Sequence, residues 1–115
     1  MSLNIIVCAK QVMDPETPLS AFNVDEAAKR VVPAQGIPPV VNGFCENAVE
    51  AALKIKEAAG DATITVISVG TDFVMDVMKK PLSMGADQMI LIQDPAAENL
   101  DALGTATVLS KAIEK

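Results

Sequence analysis

Residues 45–68 read C-E-N-A-V-E-A-A-L-K-I-K-E-A-A-G-D-A-T-I-T-V-I-S, and the period of the pattern changes halfway along. Up to Ala59 the spacing is helical: Val49, Ala52, Leu53 and Ile55 lie towards one side, and Glu50 and Lys54 form a favourable i,i+4 pair. Asn42 is placed to cap the start, Glu46 sits in the first turn where the helix dipole favours a carboxylate, and Gly60 is placed to end the helix. From Ala62 to Ser68 the run is dense in β-branched residues and reads as a strand. A helix delivered by one glycine into an apolar strand is half of a βαβ unit.

The other half lies upstream. Residues 4–9, N-I-I-V-C-A, form a continuous apolar run without alternation, which predicts a strand buried on both faces. Between it and the helix, residues 10–42 carry five prolines (Pro15, Pro18, Pro33, Pro38 and Pro39) and read as an irregular excursion. Within it, Phe22-Asn23-Val24 and Arg30-Val31-Val32 are candidates to pair as a short hairpin across residues 25–29. Downstream, Gly70 is followed by Thr71 or Asp72 as a helix cap. Pro81 then breaks the helix near Lys80 and opens a second short one, which Gly85 closes. Residues 88–93, Q-M-I-L-I-Q, form a third strand. Asp101 begins a last helix with Ala102, Ala106, Leu109 and Ile113 on one stripe. Strands alternating with helices predict right-handed crossovers and a parallel sheet.

Composition fits that class. The 115 residues have room for one domain, half of them are hydrophobic, and the three aromatic residues are all Phe. The core is therefore aliphatic. A formal net charge of −6 makes nucleic acid and anionic lipid poor partners. No apolar run approaches the ~18 residues of a membrane span, and Met1-Ser2-Leu3 lacks the features of a signal peptide. Two cysteines, Cys8 and Cys45, make neither a disulfide framework nor a metal knuckle, and the expected setting is the cytoplasm.

The absence of histidine removes Ser-His and Cys-His catalysis and most catalytic zinc sites. Neither GxGxxG nor GxxxxGK[ST] occurs, and none of the fifteen carboxylates stands out as half of an acid/base couple. The expectation is a chain that performs no catalysis with its own side chains. Candidate binding residues come from geometry, since ligands of open α/β sheets sit at the strand carboxyl ends. Those ends are Cys8-Ala9-Lys10, Val69-Gly70-Thr71 and Asp94-Pro95, with Asn42 opening a helix beside them. Each also has a purely structural reading: Asn42 as a cap, Gly70 as a tight turn, Cys8 as core.

In this order, N-I-I-V-C-A-K-Q-V from Asn4, N-G-F-C-E-N-A-V-E-A-A-L-K-I-K-E from Asn42, V-I-S-V-G from Val66, M-G-A-D from Met84 and L-D-A-L-G-T-A-T from Leu100 resemble the amino-terminal portion of electron-transfer flavoprotein beta subunits. The resemblance implies an open parallel sheet of the Rossmann-like, adenine-nucleotide-binding (alpha-hydrolase-like) kind. Its strand order is 3-2-1, with helices on both faces. Residues 1–115 would then be a single truncated nucleotide-binding-like domain.

It further implies an electron carrier working between dehydrogenases and the respiratory chain, paired with an alpha subunit with which it shares FAD. The beta subunit itself holds AMP, or a second FAD in electron-bifurcating relatives. Carried over, the pocket residues are Cys8 and Ala9, then Asn42, Gly43, Phe44 and Cys45, then Val69. Asn42 would bond the adenosine part, while Gly43 and Val69 would approach with their backbones. Gly43 stands where the family usually has proline, which loosens that segment. The family's nucleotide loop and its dehydrogenase-docking loop lie beyond Lys115. In the family the first strand is central, flanked by the second and a fourth. Residues 4–9 here are therefore expected to present an unpaired edge and to form a homo-oligomer through it. A universal-stress-protein-like nucleotide binder and a pure protein-interaction module remain as alternatives.

Overall fold

The computed structural model describes residues 3–18, 20, 23–27, 30–32 and 36–114. Three strands make the main sheet: β1 (Leu3–Cys8), β6 (Ala62–Gly70) and β7 (Gln88–Gln93), parallel and in the spatial order β1-β6-β7. Between β1 and β6 lie two small antiparallel pairs. Strand β2 (Gln11–Val12) pairs with β5 (Val40–Val41), and β3 (Asn23–Asp25) pairs with β4 (Arg30–Val32). In the β3–β4 pair Val24 faces Val31. Phe22, Ala28, Lys29 and Pro33 fall outside the described residues.

Helix α1 (Gly43–Ala59) is the long crossover between β1 and β6. The Asn42 side chain caps it by accepting a hydrogen bond from Phe44 N at 2.8 Å, and Gly60 ends it in the left-handed conformation. The second crossover is broken, as Pro81 requires, into α2 (Met75–Met78) and α3 (Lys80–Met84) with Pro81 in the first turn of α3. Gly85 closes α3 at φ 128°. That conformation is one side-chain-bearing residues rarely adopt, and a Cβ there would also press on the Leu53 side chain of α1 at 2.8 Å. A 3-10 turn (Pro95–Asn99) leads to α4 (Ala102–Glu114), whose start Asp101 holds by accepting from Gly104 N at 2.7 Å.

Both crossovers run in the same direction along the sheet, so the right-handed rule places α1 and α2–α3 on one face. That face holds the core: Val7, Val49, Ala52, Ile64, Val66 and Ala86, with Ile5, Leu53, Met84 and Met89 packed around them. Helix α4 packs against β6 from the other side. There Ile67, which alternates away from Ile64 and Val66, is only 2% exposed. No helix among the described residues is long and apolar enough to cross a membrane.

Four details differ from the reading of the pattern. Strand β1 is not buried on both faces: Asn4, Ile6 and Cys8 are exposed, Ile6 at 43%, because β1 is an outer strand. Ile55 stands in solvent and the α1 contact is carried by Val49, Ala52 and Leu53. Neither Thr71 nor Asp72 caps α2; the cap position is Val74, which has no side-chain bond to offer. On α4 the half-buried residues are Gly104, Thr105, Val108, Leu109 and Ala112, while Ala102, Ala106 and Ile113 are exposed. The true stripe lies about one residue round the helix from the expected one.

Candidate functional site

The carboxyl ends of β1 and β6 lie side by side, and backbone hydrogen bonds carry the arrangement past the strands. Ala9 N donates to Ile67 O at 3.0 Å, and Asn42 N donates to Lys10 O at 2.9 Å. The end of β1 is therefore stitched to β6 on one side and to the start of α1 on the other. Asp94 N donates to Gly70 O at 3.1 Å, which continues the line to the end of β7. These bonds bring Ala9, Asn42 and the Val69–Gly70 end of β6 into one neighbourhood from segments far apart in sequence.

The individual residues differ in what they offer. Cys8 ends β1 with an exposed thiol rather than a core one, and Ala9 is buried. Cys45 is half-buried and packs against the core, and both cysteines are free. Gly43 and Phe44 are the first residues of α1, and Phe44 is 84% exposed. Val69 is half-buried next to the last residue of β6. Beside it Ser68 is buried, and its hydroxyl has no hydrogen-bond partner among the described residues. With Asn42 Oδ1 engaged by Phe44 N, the polar group this side chain can present to a ligand is its Nδ2 donor.

An open cleft of about 760 Å³ runs along one side of this region, lined by Val12, Asp14, Glu16, Phe44, Glu46 and Lys80 among others. Asn42, Gly43 and Phe44 border it, whereas Cys8, Ala9, Cys45 and Val69 do not. Its rim carries three carboxylates against one ammonium, and Lys80 Nζ is paired with Glu46 at 2.7 Å. This charge balance disfavours a phosphate inside the cleft, and leaves the strand-end side of Asn42 as the better place for an anion.

Three features escape a reading of local pattern. The Gln11 side chain bonds backbone groups 61 and 63 residues away, accepting from Val74 N at 2.8 Å and donating to Asp72 O at 3.1 Å. Phe73, between those groups, lies over Gly70, where a Cβ would meet the ring at 2.9 Å. Asp87 accepts from Ile64 N at 2.8 Å and from Lys56 Nζ at 3.0 Å. Those two bonds hold its carboxyl below the usual value, the backbone N–H contributing most and Lys56 next. The Gln11 and Asp87 bonds depend on partners brought close only by the fold, and the Phe73 contact on where its ring is turned.

An open parallel α/β sheet with helices on both faces and a capped helix opening beside the strand ends defines a Rossmann-like domain. The chain belongs to the electron transfer flavoprotein domain family, whose description matches residues 29–115. Among curated proteins it is 40% identical over 113 residues to the electron transfer flavoprotein subunit beta of Megasphaera elsdenii, covering 98% of this chain and 40% of that protein. It is 34% identical to protein FixA of Azotobacter vinelandii, covering 98% and 38%. It is 32% identical to the caffeyl-CoA reductase-Etf complex subunit CarD of Acetobacterium woodii, covering 98% and 41%. The chain spans about two fifths of the length of these relatives.

Proposed function

We propose that this chain is the part of an electron-transfer flavoprotein beta subunit that holds the adenosine moiety of AMP or FAD at the strand carboxyl ends. The observation that carries this is the hydrogen-bonded joining of the β1 end, the start of α1 and the β6 end through Ala9, Lys10 and Asn42. The residues fit an adenosine. Asn42 Nδ2 is a donor matched to the acceptor nitrogens of adenine, and the exposed Phe44 ring offers an aromatic surface beside it. Cys8, Ala9, Gly43, Cys45 and Val69 complete one wall, with Gly43 leaving open space at the helix start. Bound FAD supplies the redox chemistry; the chain binds, orients and shields.

In this role the chain works with an alpha subunit and with dehydrogenases, and acts as a carrier component rather than as an enzyme, in the cytoplasm. The outer position of β1, with Ile6 exposed, supports pairing of copies through that edge when the chain is alone. Native mass spectrometry of the purified chain tests both points. An AMP or FAD adduct on a dimer is the expected result. A bare chain that stays bare with added AMP removes the nucleotide role, and a monomer at high concentration removes the edge pairing.

A further inference from the structure

Three segments line the proposed nucleotide site, and one residue outside all of them is tied to each. Gln11 begins β2, two residues after Ala9. Its backbone faces Val41 of β5 in the antiparallel pair, immediately before Asn42. Its side chain reaches the loop after β6, where Oε1 accepts from Val74 N at 2.8 Å and Nε2 donates to Asp72 O at 3.1 Å. The partners fix the amide orientation, because an N–H must face its oxygen and a carbonyl must face its nitrogen. Only a side chain with both a donor and an acceptor at this reach closes the pair. Glutamate lacks the donor, and lysine lacks the acceptor.

The two bonded backbone groups flank Phe73. Its ring lies across Gly70, with ring carbons 2.9 and 3.1 Å from where a Cβ would stand. Fixing residues 72 and 74 therefore fixes Phe73, and Phe73 confines the backbone at Gly70 and the adjoining Val69. We propose that Gln11 is a positioning residue for nucleotide binding: without touching the ligand, it holds the loop after β6 in register with the end of β1 and the start of α1. This inference rests on the adenosine site proposed above.

The test is titration of AMP into the chain and into Gln11→Ala and Gln11→Glu by calorimetry, with amide hydrogen exchange at Phe73 and Val74 and the thermal midpoint measured alongside. Gln11→Ala is expected to weaken AMP about tenfold, roughly the share of two neutral hydrogen bonds that reaches the ligand. Exchange at Val74 should accelerate in that variant. Gln11→Glu keeps the acceptor for Val74 N and loses the donor to Asp72, so it should fall between the parent and Gln11→Ala and keep Val74 protected. A purely structural role would lower the thermal midpoint and leave the affinity of the folded protein unchanged. Parent-level AMP affinity in Gln11→Ala with accelerated Val74 exchange overturns the proposal while leaving the nucleotide site standing. Failure of the unaltered chain to bind AMP removes the nucleotide site, and this proposal with it. If Gln11→Ala does not fold, Gln11→Glu decides alone: weakened AMP supports the role and parent-level affinity overturns it.

Discussion

Helices α1 and α4 both carry recurrent apolar residues at helical spacing, and both pack on β6, from opposite sides. Their fates differ. Helix α1 buries Val49 and Ala52 against Val7, Ile64 and Val66, of which Val49, Ile64 and Val66 are 0% exposed. Helix α4 buries no residue fully and leaves Leu103 and Ile113 in solvent. The difference comes from what each helix meets. Helix α1 spans β1 and β6 and is braced by α3, whereas α4 rests on β6 while Ile6 of β1 and Ile90 of β7 stay exposed on the strands either side. Periodicity announces a helix; the partner surface decides how much of it is buried.

That contrast can be broken by substitution. Ile64→Ala, in the α1 core, is expected to cost about 3 kcal/mol in urea unfolding, since the methylenes leave a cavity among packed neighbours. Leu109→Ala on α4 should cost about 1 kcal/mol, because the side chain is only half-buried. Equal costs for the two would mean that α4 is packed as tightly as α1. Asp87, whose carboxylate binds Ile64 N and Lys56 and ties β7 to β6 and α1, gives a smaller effect through pH. Its folded pKa is depressed, so its contribution is present above the ordinary carboxylate range and is lost as pH falls through the folded value. Asp87→Asn should therefore flatten the acid limb of the melting temperature against pH, and an unchanged limb would show the bonds to be energetically idle. Leu103→Ala, on the solvent side of α4, should stay within about 0.5 kcal/mol of the parent.

The smallest effect tests the core itself. Ser68 is buried on the α1 side of β6 with no partner for its hydroxyl among the described residues, so Ser68→Ala should be neutral or slightly stabilising in thermal melts without nucleotide. A clear loss of stability would place a hydrogen-bond partner on that hydroxyl.

The sheet and most of its helix ends were legible because those boundaries carry a local chemical signal, which the start of α2 at Val74 lacks. Asn42 caps α1, Gly60 and Gly85 end helices, Pro81 interrupts the second crossover, and the β-branched run from Ala62 marks the middle strand. The short β2–β5 pair had no such signal. Two residues on each side are too few for a period, and they are held by a register that only the fold creates. Of the proposed site, the three wall segments were proposed from strand ends and family resemblance. The Gln11 bonds and the acidic cleft could not be read that way, because they join residues separated by tens of positions, and the Phe73–Gly70 contact could not, because it depends on where the ring is turned. The stripe on α4 was misplaced because Leu103 and Ile113 add apolar character on the solvent side and blur its direction.

The most direct test of the account is titration of AMP into isotope-labelled chain, followed by backbone amide shifts. The account predicts saturable shifts at Ala9, Gly43, Phe44 and Val69, with α4 unmoved. Saturable shifts confined to the cleft residues Asp14 and Glu16, or none at all, would contradict it.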